Sequence, residues 1–440
     1  MSWKQFQKAF WSLVLTTPLF GGCEKSQPVP SAQLAPSLAP ANSPLAMILA
    51  PEGGDSKLDV EIRKCQDQLR KNWMPPVTTE KLGWLFVGKA RETFDPGFYR
   101  LAEQCALCLD SQTPGCAEAL LLRGHVLQNL HRFHEAELLA RQLVEKRERP
   151  FDFGLLGDTL MEQGELTEAI VAYQKMINLR PDLQSYSRAA HMRWLKGDTE
   201  GALELMKIAA TSASPRDAES AAWAFSRMGF YQMASGDLTG GGQSAANAIQ
   251  FQAEYPPALL IQGKILLAQN QPLEALASLK RAATLNPLPE YLWALRDAFL
   301  RNGDKLNAAA VAQKLLSRGE TTDPRTLALF LATEKLDSKK AVRLARAELA
   351  NRHDVFTHDA LAWALFADEQ PVGAAAEMRL ALAEGTRDAR LLLHASLILP
   401  APDQITSRNY VESARAGSAT LLPSEKALLP TPSAQQAANK

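Results

Sequence analysis

The chain is 440 residues long and 46% hydrophobic, with 48 basic and 48 acidic residues, giving a formal net charge of zero. That balance lacks the basic field that releases counterions from phosphates, so no nucleic-acid partner is expected. Aromatic residues make up only 7% of a chain rich in Ala and Leu, which is a helical composition with ample apolar material for a core.

Residues 1–23 have the order of an export signal. Lys4 and Lys8 precede an apolar stretch from Ala9 to Phe20, which ends in Gly21-Gly22-Cys23. The stretch is too short to span a bilayer comfortably. Leu19-Phe20-Gly21-Gly22-Cys23 resembles a bacterial lipobox, with Phe20 where Leu is usual. The resemblance implies lipidation at Cys23 and a location in the periplasm or cell envelope, tethered to a membrane. An ordinary cleaved signal and an uncleaved anchor are the alternatives.

Residues 24–56 form a Pro/Ala/Ser-rich segment with Pro28, Pro30, Pro36, Pro40, Pro44 and Pro51. Repeated prolines remove backbone donors and favour extended chain, which predicts a disordered tether. The apolar run Leu45 to Leu49 has the alternative of packing on the end of the folded part. An amphipathic capping helix is expected within 57–76, a helical array over 77–422, and a disordered tail over 423–440. The segment Asn409 to Leu422 is expected to be the last helix of the array.

Small residues recur at Gly124, Gly157, Ala190, Gly229, Gly263, Ala362 and Ala395, and again at Ala136, Ala169, Ala202, Gly241, Ala275, Ala308, Ala341 and Ala374. The two series stand 12 residues apart (Gly124 to Ala136), and the period is mostly 33 (Gly124 to Gly157). Such a pattern predicts a helix, a tight turn and a second helix, repeated. Gly164-Glu165, Gly197-Asp198, Gly236-Asp237 and Gly303-Asp304 fall at the turn, where glycine ends one helix in the left-handed conformation and the acid begins the next. Pro181 and Pro287 close their repeats. A six-residue insertion is expected around Thr211 to Ser220, and Arg296 and Leu329 break the small-residue series.

Phe153-x2-Leu156-Gly157-x2-Leu160, followed by Ala169-x3-Tyr173-x2-Met176 and Pro181, resembles the tetratricopeptide signature, and Leu259, Gly263, Leu266, Ala275, Leu279, Ala282 and Pro287 repeat it. The resemblance implies an all-α solenoid of about nine or ten helix-turn-helix repeats in a right-handed superhelix. Its expected role is non-catalytic protein binding, with partner segments held in the concave groove. Ankyrin repeats share the period, but their T-P-L-H-x-A signature is absent. Ala90-Arg91-Glu92-Thr93, Asp95-Pro96-Gly97-Phe98-Tyr99, His358 to Leu365 and Gly385 to Ala389 further resemble exported bacterial repeat proteins of no settled activity.

Carried over by repeat position, the groove face of the first helices implies His125, Asp158, His191, Trp194, Trp223, Phe230, Lys264, Trp293, Asp297, Trp363 and Phe366 as peptide-binding candidates. Aromatic rings beside a few charges suit such a surface, because rings bury large area at low entropy cost. The alternative for each is packing against the next repeat. A convex-face assembly or export factor is the rival reading of the whole, and an enzyme with an unrecognised site in the groove is a second. Cys65, Cys105, Cys108 and Cys116 are disulfide candidates in an exported chain; free thiols, a zinc site and redox chemistry are the alternatives. His131 and His134 beside Glu135 read as turn residues rather than metal ligands. No phosphate-loop, nucleophile-elbow, zinc-protease or dinucleotide motif occurs, so neither cofactor nor catalytic residue is expected.

Overall fold

The computed structural model describes residues 43–51, 53–71, 75–399 and 404–430. The export signal, Cys23, residues 24–42 of the expected tether and residues 431–440 of the expected tail lie outside them. Every regular element among the described residues is helical.

Helices α1 (Pro44–Ile48) and α2 (Lys57–Lys71) precede ten hairpins, each built from a first helix A and a second helix B. The first five are α3 (Pro76–Thr93) with α4 (Gly97–Gln112), α5 (Ala117–Asn129) with α6 (Phe133–Lys146), α7 (Pro150–Glu162) with α8 (Leu166–Leu179), α9 (Leu183–Leu195) with α10 (Thr199–Thr211), and α11 (Ala218–Ala234) with α12 (Leu238–Phe251). The others are α13 (Pro256–Ala268) with α14 (Pro272–Leu285), α15 (Pro289–Arg301) with α16 (Lys305–Thr322), α17 (Pro324–Thr333) with α18 (Ser338–Leu349), α19 (Val355–Ala367) with α20 (Pro371–Leu382), and α21 (Ala389–Ile398) with α22 (Gln404–Ala416). A single turn, α23 (Pro423–Lys426), ends the described chain. The fold is an α-solenoid of ten repeats.

The small residues let the helices approach closely. A methyl group added at Gly157 would come within 2.4 Å of the Tyr173 ring, and one at Gly263 within 2.5 Å of Leu279. Gly229 meets the carbonyl of Gly241 across its own hairpin, so the two periodic series touch there. The turn glycines take the expected conformation: φ is 82° at Gly164, 80° at Gly197, 88° at Gly236 and 77° at Gly303. Asp198, Asp237 and Asp304 cap their helices by accepting the backbone N–H of Gly201, Gly240 and Asn307. Glu165 makes no such bond. The insertion is a short 3-10 turn, Pro215–Asp217, between α10 and α11.

Three boundaries differ from expectation. The run Leu45 to Leu49 belongs to a docked segment rather than a tether, because Ile48 is fully buried and Gln66 on α2 donates to the carbonyls of Ile48 (2.9 Å) and Ala50 (2.8 Å). The last helix B spans Gln404–Ala416 instead of beginning at Asn409. The tail starts ordered: Glu425 is buried, paired with Arg390, and accepts the N–H of Leu422 at 2.7 Å.

Contacts also join repeats far apart in sequence. Thr386 Oγ1 donates to the carbonyl of Leu195 at 2.5 Å across 191 positions, and Lys196 pairs with Glu384 across 188. The N–H of His353 reaches the carbonyl of Glu162 (3.1 Å), Arg352 pairs with Glu162 (2.7 Å), and Phe356 stacks on Trp194 with centroids 5.5 Å apart. The turns of α7 and α9 therefore touch the loops that precede α19 and α21.

Candidate functional site

The inner face of helices A encloses a cavity of about 630 Å³. Six of the eleven groove candidates line it: His191 and Trp194 on α9, Trp223 and Phe230 on α11, Lys264 on α13 and Trp293 on α15. The chain itself, however, occupies part of the groove beside them. Thr420, Leu421 and Leu422 supply part of the cavity wall, and Ser424 on α23 receives the indole N–H of Trp293 at 3.0 Å. Trp293 is buried there at 1% exposure and Trp194 is buried at 4% among His191, Phe230, Tyr231 and Phe356, whereas Trp223 and Phe230 are half-buried.

The other five do not line the cavity, and four of them are structural ties. Asp158 accepts from Tyr173 Oη (2.8 Å) and from both arms of Arg188 (2.7 and 2.6 Å), joining α7 to α8 and α9. Asp297 accepts the N–H (2.8 Å) and hydroxyl (2.6 Å) of Ser424 and pairs with Arg296. His125 packs on Trp84, with ring centroids 5.4 Å apart. Trp363 donates to Thr333 Oγ1 (3.0 Å) and lies 4.1 Å from His394, nearly parallel. Phe366, on the same helix as Trp363, stacks on it at the protein surface.

Sequence reasoning missed Arg227. Its guanidinium lies 3.2 Å from His191 Nδ1 and 3.4 Å from Tyr231 Oη, over the rings of Trp194, Phe230 and Tyr231. Trp223, Arg227 and Phe230 stand at i, i+4 and i+7 on α11, so helical spacing alone puts them on one face. Burial, reinforced by Arg227, pushes His191 down to about 3, which leaves it neutral and able to accept from the guanidinium. Burial also lowers the Lys264 amine below its ordinary value. Three acids on the wall are committed elsewhere, Glu162 to Arg352, Asp354 to Arg325 (2.9 Å) and Asp359 to His394 (2.8 Å), while Glu290 stands exposed at the rim.

Two segments of the chain match models described as tetratricopeptide repeat, residues 153–183 and 261–323. They fall on α7–α8 and on α13–α16, in phase with the ten hairpins. The chain is a tetratricopeptide-repeat protein. Solved structures similar to this tetratricopeptide-repeat protein include one from a functional characterization of Pseudomonas aeruginosa PilF, 13% identical with a TM-score of 0.39, covering 45% of this chain and 90% of that one. A human IFIT1 dimer with PPP-AAAA is 14% identical with a TM-score of 0.48, covering 73% and 77%. MamA is 18% identical with a TM-score of 0.31, covering 38% and 91%. No curated protein matches the chain significantly in sequence.

The four disulfide candidates of this tetratricopeptide-repeat protein come together at its N-terminal end without pairing. Cys65, Cys105 and Cys108 are buried in one core cluster and Cys116 packs against it, all as free thiols. Their apolar setting pushes Cys108 up to about 11 and Cys105 well above the usual thiol range, so both stay protonated and weakly nucleophilic. Among the described residues, no three His, Cys, Asp or Glu side chains are grouped to hold a metal ion. No described helix is long and apolar enough to cross a membrane.

Proposed function

We propose that this chain is a non-catalytic interaction scaffold of the bacterial cell envelope that presents its outer face, built by the second helices, to protein partners. Tetratricopeptide repeats supply the general interaction fold; the location rests on the export-like residues 1–23 and the proline-rich stretch after them. One observation carries the choice of face. The inner surface is partly occupied by residues 420–424 and narrowed to a cavity of about 630 Å³, while large apolar side chains stand exposed on helices B: Val171 at 61%, Leu273 at 68%, Leu306 at 83% and Val372 at 85%. Leu273 and Leu306 occupy the same position one repeat apart, as do Leu306 and Val372 two repeats apart. Exposed apolar groups in register are what a partner surface requires and a solvent surface does not.

The groove remains a second reading, favoured by the half-buried Trp223 and Phe230. In it, a partner segment displaces residues 418–426 and takes their place. Affinity capture from native envelopes separates the two readings. Leu273→Glu with Leu306→Glu should abolish capture under the outer-face reading, while Trp223→Ala should do so under the groove reading. Retained capture in the Leu double variant overturns the first. Mass spectrometry of the mature N-terminus tests the anchor: an acylated Cys23 is the expected species, and a free terminus elsewhere rules it out.

A further inference from the structure

Lys264 is unusual among the charged side chains of this protein. It is 7% exposed, lines the 630 Å³ cavity, and its ammonium makes no hydrogen bond or ion pair with any described residue. Glu290, at the same wall, is solvent-exposed and outside ion-pairing distance. A cation this deep in a fold is normally held by a direct ion pair; Lys264 has none among the described residues, and its ammonium opens on the cavity instead. Arg227, the second unpaired cation on the wall, places one amino group, Nη2, on His191 and Tyr231 and lies over three rings. Of the other carboxylates that act on Lys264, Glu425 is paired with Arg390 and Asp388 accepts the backbone N–H groups of Arg390 and Leu391.

We propose that the cavity binds a small organic carboxylate with an apolar, ring-containing body, its anionic end on Lys264. The volume lies within the range of small-molecule sites, which runs from roughly 300 to 1,000 Å³. The rings of Trp223, Phe230 and Trp293 on the wall offer stacking for a planar body. A phosphate fits less well. It is typically held by forked guanidinium contacts or by converging backbone N–H groups, whereas Lys264 offers a single point charge.

Calorimetric titration of the full chain with three probes sharing one ring system tests the proposal. These are 1-naphthylacetate, the neutral 2-(1-naphthyl)ethanol and 1-naphthyl phosphate. The acid should bind about tenfold or more tightly than the alcohol, the difference a charge-assisted hydrogen bond makes. Lys264→Met, which keeps the length of the side chain, should erase that preference. Arg227→Met should weaken the acid less. The proposal is overturned if none of the probes binds, if alcohol and acid bind equally, if Lys264→Met leaves the preference intact, or if the phosphate binds more tightly than the carboxylate.

Discussion

At the turn between helices A and B, one backbone conformation recurs whatever the residue. Gly303 has φ of 77°, and at the corresponding turns Lys335 (53°) and Glu369 (57°) adopt the same left-handed region. A side chain there costs about 1 kcal/mol or more, partly offset by glycine's larger freedom in the unfolded chain. Lys335→Gly and Glu369→Gly should therefore each raise stability by about 0.5 kcal/mol. Gly303→Ala should lower it by about 1 kcal/mol, because nothing lies within 4 Å of the added methyl and only the backbone term acts. Thermal melts of the three variants check all of these signs. Histidines act at the same scale. Burial is the first cause that holds His125 down at about 4 and His191 at about 3, so both are neutral in the fold. The unfolded chain takes up these protons near its ordinary value of about 6.5 and the folded one does not, so stability is intact above that pH and falls as pH drops towards 4. His191→Gln should flatten the acid limb of melting temperature against pH; an unchanged slope would show that His191 is protonated in the fold.

Helices were the most legible level of the sequence, and the C-terminal segment was the least. The hairpins follow from patterns 12 and 33 residues long, short enough for helical periodicity, glycine and Asp caps to specify them locally. Residues 423–430 carry no such pattern: Pro423 and Pro430 flank a stretch too short to declare a helix. Their order comes from distant partners. Ser424 meets Asp297 across 127 positions, and Glu425 meets Arg390 across 35. For the same reason Asp297 read as a groove residue, since its position on α15 is right for one and only the tertiary contact fills the space. Asp297 is 1% exposed, and burial raises its carboxyl above the ordinary value despite the bonds from Ser424. Removing the serine hydroxyl takes a hydrogen bond from a buried acceptor, which typically costs about 1–3 kcal/mol. Ser424→Ala should accordingly lower the melting temperature and red-shift Trp293 emission as α23 loosens. Unchanged emission would mean that the segment is held by its apolar contacts alone.

An open solenoid couples each repeat only to its neighbours, so its stability is a chain of local terms and its unfolding can begin anywhere. This molecule departs from that scheme because the turns of α7 and α9 touch loops nearly six repeats later. Closure was not legible in the sequence: it depends on how small rotations accumulate from repeat to repeat, which no local pattern records. Glycine substitutions isolate its contribution. At Gly303 an added methyl meets open space, but at Gly197 it would come within 2.4 Å of the carbonyl of Gly385, and at Gly164 within 2.6 Å of that of His353. Both obstacles are backbone, which cannot swing aside as a long side chain would. All three glycines have nearly the same φ, so the backbone strain of an Ala is common to them, and the excess loss at Gly197 and Gly164 measures closure. Gly197→Ala should therefore destabilise more than Gly303→Ala. It should also broaden the urea transition as distant repeats uncouple, and enlarge the radius of gyration measured by solution scattering. Equal losses in the two variants, with scattering unchanged, would mean that the contacts between Leu195 and Thr386 and between Lys196 and Glu384 do not hold the superhelix shut.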